Sequence, residues 1–449
     1  MASSDPIEAI MTISFGSRAG LLHGPGQPIR KASTSALALA TILMSLAACS
    51  PAVEQPASPA AAAEALDPKA VHDAVLVLDS HADVLLPSTP KRYYATDGGS
   101  RVALDKLQAG GVDAIVLSVA VGPGPRDAAG VVAARADADA KLAKIKTLVA
   151  ENPSTVGLAL SAGDVERLHS EGKIAILIGF QNARSIGKDV SQIDVFYKEG
   201  ARIFALNHAG HNDFSDSSRP QDGPVSEHGG LSPLGKEAVK RLNDLGALID
   251  VSQLSSDALA QTLELTRAPV AATHSNARAL IDDTRNLSDA ELDAIKTNGG
   301  VVQVTPFNSY LIKPDATAIE SIGVVRVRYG LAKEFKGASD GYNALSAEKQ
   351  AAFLDEILPL QPKATVSNFV DHIDYIAKRI GWQHVGIGSD FDHGAGITGF
   401  DSAADAPNVT AELIKRGYTE EQVAAIWSGN FLRVLKAAEE LARSASAQN

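Results

Sequence analysis

The chain has 449 residues, of which 45% are hydrophobic and 21% are charged, so it can bury a core as large as one α/β barrel with insertions. Its formal net charge of -12 and its lack of a basic run argue against nucleic acid as a partner. Because Cys49 is the only cysteine, an intramolecular disulfide is excluded.

The N-terminal segment has the pattern of a bacterial lipoprotein signal. Two basic residues precede a small and apolar run, residues 36–48, that ends at Cys49. A charged region, an apolar region and small residues before a cleavage point are typical of a secretory signal, and the run is short for a membrane span. The tetrapeptide Leu-Ala-Ala-Cys resembles a lipobox, so residues 1–49 are predicted to be a signal segment with lipidation at Cys49. An ordinary signal with a chance cysteine is the alternative.

Residues 50–67 are predicted to be a disordered Pro/Ala tether that holds the rest of the chain off the membrane. Ser50 follows the cysteine, where an aspartate would retain a lipoprotein in the inner membrane. We therefore expect a lipid-anchored protein of the bacterial cell envelope, at the outer membrane and facing the periplasm.

Residues 68–445 are predicted to form a single (β/α)8 TIM-like barrel. Most strand-like runs are continuously apolar, as expected for strands covered on both faces, and helical stretches separate them. Eight such units are the count for a closed barrel. The predicted strands are 74–80, 113–120, 173–180, 201–207, 246–252, 268–274, 299–306 and 383–389. Helices are predicted over 128–151, 233–245, 255–265 and 289–297.

Two connections are long, namely residues 209–232 after the fourth strand and residues 307–382 between the seventh and eighth strands. Long loops at the C-terminal face of a barrel usually build or cover its active site. Residues 419–443 are predicted to form a helical extension of one or two helices outside the barrel, with a break near Gly429.

The first predicted strand runs into His81-Ala82-Asp83. Residues i and i+2 of a strand point the same way, so a parallel barrel presents both side chains at its mouth. Because other strand ends also carry ligand-type residues, we interpret His81 and Asp83 as metal ligands. The alternative is a hydrogen-bonded histidine beside an aspartate that caps the next helix.

Two later strand ends add candidate ligands. Asp390 follows the eighth strand after small residues that allow a tight turn. With His81, Asp83 and water it would complete a single zinc site, and it would also take a proton from the attacking water and pass it to the leaving amine. His274, after the sixth strand, is a further candidate ligand. A helix cap for Asp390 and a core position for His274 are the alternatives.

Two further residues have the chemistry to contact a substrate. His208 ends the fourth strand, where it would donate a hydrogen bond to a developing oxyanion; an uninvolved core histidine is the alternative. Arg285 lies in a short polar stretch after His274, and its guanidinium would hold a substrate carboxylate bidentately. A surface salt bridge with Asp282 or Asp283 is the alternative for Arg285.

From about residue 70 to residue 436, the order of these motifs resembles the membrane dipeptidase (renal dipeptidase) family of metallopeptidases. The resemblance rests on Asp79-Ser-His-Ala-Asp83, Lys106-Leu-Gln-Ala-Gly-Gly-Val112, His228-Gly-Gly-Leu-Ser-Pro-Leu-Gly235, Leu248-Ile-Asp-Val-Ser252, Thr273-His-Ser-Asn276, Arg285-Asn286, His384-Val-Gly-Ile-Gly-Ser-Asp-Phe-Asp392 and Gly429-Asn-Phe431. It implies a (β/α)8 barrel with two zinc ions at its mouth. It also implies hydrolysis of dipeptides, some with a D-residue at the C-terminal side.

The resemblance implies a role for each candidate residue. It gives the first metal site to His81, Asp83 and Asp390, and a ligand of the second metal to His274. It gives oxyanion stabilisation to His208, binding of the substrate carboxylate to Arg285, and the acid and base role to Asp390. Family members often dimerise, which leaves a homodimer open for this chain.

The sequence departs from the family at two metal-ligand positions. Gln181 stands where a glutamate bridges both metals, and Gln253 stands where a histidine follows Asp-Val-Ser. A neutral amide is a poor zinc ligand, and it cannot offset the repulsion between two dications. We therefore expect one zinc ion rather than two. His393, His211 and Asp213 are candidates for a substitute ligand.

The sequence thus predicts a metal-dependent hydrolase that cleaves the amide bond of dipeptides by a metal-activated water. One alternative is a mononuclear hydrolase of another small carboxylate-bearing amide, ester or lactam. A second is a catalytically silent lipoprotein that binds peptides. The two glutamines favour this last alternative, and the retained site residues oppose it.

Overall fold

A computed structural model of the chain describes residues 66–221, 224–334 and 341–446. The predicted signal segment, Cys49 and nearly all of the predicted tether lie outside these residues, so they stay predictions from the sequence. From Asp67 onward, the described residues belong to one compact unit. Within that part of the chain, no helix combines the length and the apolar character needed to cross a membrane.

Eight parallel strands form a barrel, which confirms the predicted fold class. The pairing order is β1-β2-β4-β5-β6-β7-β8-β9, and β3 pairs with β4 outside this path. The barrel closes where the N–H of Asp83 donates to the carbonyl of Phe391 at 2.9 Å. The strands are β1 (Leu78–Asp83), β2 (Ala114–Ala120), β3 (Val156–Leu158), β4 (Ile174–Gln181), β5 (Ala201–Ala205), β6 (Leu248–Asp250), β7 (Ala271–Ala272), β8 (Val301–Val304) and β9 (Val385–Ile387).

Helices connect the strands and cover the barrel. They are α1 (Pro68–Ala74), α2 (Leu104–Ala109), α3 (Ala128–Glu151), α4 (Ala162–Ser170), α5 (Gln192–Lys198), α6 (Pro233–Leu245), α7 (Ser256–Leu265), α8 (Asp289–Asn298), α9 (Asn308–Leu311), α10 (Ala316–Arg328), α11 (Ala347–Ile357), α12 (Val366–Ile380), α13 (Ala406–Lys415), α14 (Glu420–Ala424) and α15 (Asn430–Ser446). The bounds of α3 and α6 agree with the prediction, because Asp127 and Ser232 cap their first turns.

The start of the first predicted strand is instead helical. Asp67 accepts a hydrogen bond from the N–H of Lys69, and Pro68 occupies the first position of α1. Both features favour a helix start. The first strand therefore begins later than predicted, at Leu78, and it includes His81 and Asp83 rather than ending before them.

The C-terminal helix α15 packs under the N-terminal end of the barrel. Its apolar residues Phe431, Val434 and Leu435 share a core cluster with Leu78 and Ala271, which lie at the starts of β1 and β7. A single π-helical turn, Ala425–Gly429, precedes α15 at the predicted break. Because this end is closed by apolar packing, the polar residues at the strand ends gather at the opposite end.

The long connection between β8 and β9 contains helices α9 to α12. Helices α10 and α11 form a small apolar cluster of their own, which includes Ile322, Tyr342 and Phe353. Helix α12 packs on the barrel, and its His372 accepts a hydrogen bond from the N–H of Ala277 at 3.1 Å. This contact supports the loop that follows β7.

We expect His372 to make the fold sensitive to acid. Burial lowers the pKa of His372 from its ordinary value of 6.5 to about 4. The folded chain therefore binds a proton at His372 less readily than the unfolded chain does. The contribution of neutral His372 to the free energy of unfolding is full above pH 6.5 and is lost as the pH drops from 6.5 towards 4. The pKa difference between the folded and unfolded chain corresponds to about 3 kcal/mol in the free energy of unfolding.

The His372→Gln variant tests this expectation, because glutamine can still accept from Ala277 but does not titrate. Its melting temperature should fall less between pH 6.5 and pH 4 than that of the unchanged chain. His169→Gln is the control, since the side chain of His169 is 42% exposed. If the melting temperatures of the His372 variant and the unchanged chain fell equally with pH, His372 would not be the acid-sensitive group.

Candidate active site

His81, Asp83 and Asp390 meet at the C-terminal end of the barrel. His81 and Asp83 are alternate residues of β1, so their side chains point the same way. Asp390 follows β9, and its N–H donates to the carbonyl of His81 at 2.8 Å. Nε2 of His81 lies 3.8 Å from Oδ1 of Asp83 and 3.8 Å from Oδ1 of Asp390. The structure thus brings together the three residues predicted to form one metal site.

Small residues and a left-handed backbone place Asp390 in this group. A Cβ on Gly388 would lie 2.0 Å from the carbonyl oxygen of Thr273 and 2.6 Å from Oγ of Ser80, so this close approach requires glycine. Asp390 itself has a φ of 54°. Aspartate and asparagine adopt this conformation more readily than other residues with a side chain.

Two buried atoms at the centre of the group have the chemistry of metal ligands. Among the described residues, neither Nε2 of His81 nor Oδ1 of Asp83 has a hydrogen-bond partner. Buried polar atoms normally have one, so such a pair has the character of a cation-binding site. Burial lowers the pKa of His81, which keeps its ring neutral and able to coordinate. The donor set of one imidazole and two carboxylates fits a divalent cation such as zinc.

His393 lies behind Asp83 in this arrangement. Nδ1 of His393 is 2.7 Å from Oδ2 of Asp83, and it must donate because a carboxylate accepts. Burial acts to raise the pKa of Asp83, but the effects of His393, followed by those of Lys141 and His81, together outweigh it and lower that pKa to about 2. His393 therefore holds Asp83 ionised and leaves its other oxygen facing His81. Of the three predicted substitute ligands, His393 alone lies beside the metal-ligand group.

The other two predicted substitute ligands are turned away. Nε2 of His211 lies 2.8 Å from the carbonyl oxygen of Pro224. Oδ1 of Asp213 lies 3.7 Å from both Arg126 and Lys188. His211 thus contacts its own loop and Asp213 faces basic residues of two other loops, rather than the group around His81.

Asp250 is a site residue that the sequence reasoning missed. His81, Asp250 and His274 place ligand-type atoms within 4.8 Å of one another. The hydroxyl of Thr273 stands among them, with Oγ1 2.5 Å from Oδ2 of Asp250, 2.8 Å from Nδ1 of His274 and 3.5 Å from Nδ1 of His81. Asp250 and Thr273 thus orient both rings from the Nδ1 side, while Nε2 of His81 faces Asp83 and Asp390.

The two glutamines contact His274. Nε2 of Gln181 lies 3.2 Å from Nε2 of His274, and Nε2 of Gln253 lies 3.1 Å from the same atom. Burial is the main reason that the pKa of His274 lies well below its ordinary value, so this ring is neutral. It stacks on His81 with ring centroids 3.9 Å apart. Gln253 also accepts a hydrogen bond from Arg219, a loop residue that no sequence motif indicated.

His208 and Arg285 border the same region. The ring of His208 meets that of His393 edge to face, with centroids 5.0 Å apart. Arg285 donates to the carbonyl of His274 at 2.5 Å and to Oγ of Ser275 at 3.2 Å. Its side chain is buried, which contradicts the alternative of a surface salt bridge. The two predicted substrate contacts therefore border the site, with His208 beside His393 and Arg285 beside His274.

Comparison with known proteins places the chain in a family. Residues 67–449 match the sequence model described as Membrane dipeptidase (Peptidase family M19). The crystal structure of the probable dipeptidase PvdM from Pseudomonas aeruginosa is 38% identical, with a TM-score of 0.76, and the match covers 83% of this chain and 98% of that one.

Two further comparisons are more distant. Dipeptidase tcpJ of Claviceps purpurea is 31% identical over 288 residues, which are 64% of this chain and 56% of that protein, so this chain spans little more than half of the relative's length. A metallo peptidase from Rhodobacter sphaeroides, liganded with a phosphinate mimic of the dipeptide L-Ala-D-Ala, has 22% identity and a TM-score of 0.62 over 81% of this chain and 99% of that one. At this identity, the second likeness supports the fold alone.

Proposed function

Because the chain belongs to the membrane dipeptidase family, we propose that it is a metal-dependent hydrolase that cleaves the amide bond of dipeptides. The observation that carries the proposal is the pair of buried ligand atoms, Nε2 of His81 and Oδ1 of Asp83, which face Asp390 without a hydrogen-bond partner among the described residues. Unpaired buried polar atoms are costly, and a cation would remove that cost.

We propose that His81, Asp83 and Asp390 hold one zinc ion. A zinc ion held there would supply Lewis-acid activation of a water molecule and of the amide carbonyl. The arrangement of the remaining residues supports this count, because Nε2 of His274 faces two amide N–H groups rather than a carboxylate.

Three residues would then act as acid and base, stabilise the oxyanion and bind the substrate. Asp390 would take the proton from the attacking water and return it to the leaving amine. His208 would donate a hydrogen bond to the oxygen that becomes negative as the carbonyl is attacked. The guanidinium of Arg285, which contacts His274 and Ser275 at the border of the site, would bind the carboxylate at the C-terminal side of the dipeptide.

The test combines zinc content per chain with turnover of a panel of L,L and L,D dipeptides. The L,D members are included because the structurally similar peptidase of Rhodobacter sphaeroides was liganded with a mimic of L-Ala-D-Ala. We expect about one zinc ion per chain and hydrolysis of at least some panel members. Zinc binding without dipeptide turnover would favour another carboxylate-bearing amide, ester or lactam. Peptide binding with neither zinc nor turnover would favour a silent binding protein and contradict the proposal.

A further inference from the structure

A directed chain of hydrogen bonds runs along one wall of the candidate active site. It passes from Arg219 through Gln253, His274 and Thr273 to Asp250, with heavy-atom distances of 2.8, 3.1, 2.8 and 2.5 Å. All five residues are buried. We infer that this series of hydrogen bonds, which begins at Arg219, keeps His274 out of metal coordination and so limits the site to one cation. The inference rests on the proposed metal site.

Arg219 sets the direction of the first link. A guanidinium has donors only, so Oε1 of Gln253, 2.8 Å from Nη2 of Arg219, must accept. The amide of Gln253 therefore cannot be reversed, because reversal would set its N–H groups against those of Arg219. Nη1 of Arg219 donates to the hydroxyl of Tyr310 at 3.1 Å, which fixes the guanidinium plane from a second point.

The amide in turn sets the tautomer of His274. Since Nε2 of Gln253 is a donor, Nε2 of His274 must accept from it and cannot carry a proton. The ring proton then sits on Nδ1, where it donates to Oγ1 of Thr273. The hydroxyl of Thr273 donates its own proton to Oδ2 of Asp250. Each group thus has one consistent role along the whole chain of contacts.

This arrangement occupies the atom that a second metal would need. A metal-binding histidine offers the lone pair of one ring nitrogen. In His274, the lone pair on Nε2 faces the amides of Gln181 and Gln253, and Nδ1 carries the proton. A second cation would also lie close to the guanidinium of Arg219 and be repelled by its charge. Arg219 therefore acts as a positioning residue for His274, through Gln253.

The first test measures the tautomer of His274 in the metal-free full chain by nitrogen NMR with labelled histidine. The signal is assigned from its loss in His274→Gln. We expect a proton on Nδ1 and a bare Nε2, and we expect zinc to shift the signals of His81 but not the Nε2 signal of His274. A proton on Nε2 of His274, or a zinc-dependent shift of its Nε2 signal, would overturn the inference. Because this readout needs no turnover, it separates failure of the inference from failure of the proposed function.

The second test counts zinc by equilibrium dialysis in two variants of the full chain. These variants and their controls all carry Gln181→Glu as well, because the amide of Gln181 cannot offset the repulsion between two dications. On this background, Gln253→His should still bind about one zinc ion, because Arg219 remains. Gln253→His with Arg219→Met should bind about two, because both the neighbouring charge and the directed amide are gone. Two ions in the single variant, or one ion in the double variant, would overturn the role of Arg219.

Two controls guard against a general loss of structure. Arg326 is as buried as Arg219, at 2% exposure, and lies in α10, outside the candidate active site. Adding Arg326→Met to Gln253→His should leave the count near one. Arg219→Lys with Gln253→His should also stay near one, since lysine keeps the positive charge and N–H donors. A count of two in the lysine variant would show that the positive charge does not limit the site.

Discussion

We expect Asp390→Asn to lower kcat for dipeptides by on the order of a thousandfold, the typical contribution of a positioned acid or base. Oδ1 of Asp390 lies 3.8 Å from Nε2 of His81, so the same carboxylate would bind the cation and accept the proton of the attacking water. Asparagine keeps the shape of the side chain but cannot take that proton, and it weakens the charge of the metal site.

Asparagine is the right substitution because of the backbone at this position. Asp390 has a φ of 54°, where asparagine and aspartate are the favoured residues with a side chain. An alanine would add backbone strain and confuse loss of chemistry with loss of fold. The melting temperature of Asp390→Asn in the presence of a chelator should therefore stay close to that of the unchanged chain.

Asp392→Asn is a matched control. Asp392 also has a positive φ, of 63°, but its carboxylate accepts from Oγ of Ser100 and the N–H of Arg101 rather than facing His81. Burial raises the pKa of Asp392 to about 6, so a neutral amide is tolerated better here than at an ordinary carboxylate. This variant should keep most of its kcat. Similar activity in the two variants, or a highly active Asp390→Asn, would remove Asp390 from the proton transfer.

The grouping of His81, Asp83 and Asp390 was accessible from the sequence for a physical reason. Parallel strands of a barrel bring their C-terminal ends to one face, whatever their separation along the chain. A polar residue directly after an apolar strand can therefore be placed without knowing its neighbours. The same rule placed His274 and Gln253 together at that face.

Asp250 and Arg219 could not be found in this way. Asp250 ends β6 with the signal of a strand-end carboxylate, but its role depends on Thr273, which directly follows the neighbouring strand β7, 23 positions further along the chain. Arg219 lies in a polar loop without periodicity, so nothing in the sequence predicts that its guanidinium reaches Gln253. Side-chain partners across loops are set by tertiary packing alone.

The same contacts explain why one strand is shorter than predicted. The run predicted over 268–274 keeps strand pairing only at β7, Ala271–Ala272. Beyond it, the N–H of Thr273 donates to Oδ1 of Asp250 at 3.0 Å instead of joining the ladder. Residues 268–270 are apolar but precede β7, so composition alone overestimates the strand.

The second large effect is expected for Asp250→Asn, which should weaken zinc binding by about 10- to 100-fold, as changes to partners of metal ligands do. The charge of Asp250 acts to raise the pKa of His81, which makes its ring a stronger ligand. Thr273 carries that influence, with Oγ1 2.5 Å from Asp250 and 3.5 Å from Nδ1 of His81. An amide removes the charge and cannot hold both rings in the same way.

Asparagine would also leave a buried group without a partner. Oδ1 of Asp250 accepts from the N–H groups of Ser252 and Thr273, and Oδ2 accepts from the hydroxyl of Thr273. If the amide oxygen keeps the two N–H groups, the amide nitrogen faces Thr273 and the hydroxyl proton loses its acceptor. We expect this to lower the free energy of unfolding by about 2 kcal/mol.

Zinc affinity by competition with a chelating dye and unfolding by urea measure the two effects separately. Asp244→Asn is the surface control, because Asp244 pairs with Arg267 and its side chain is 54% exposed. That variant should match the unchanged chain in both assays, since exposed ion pairs contribute little to stability. If Asp250→Asn kept both its zinc affinity and its stability, Asp250 would not orient the metal-binding rings. If it kept its affinity and lost only its stability, its role would be confined to packing the ends of β6 and β7.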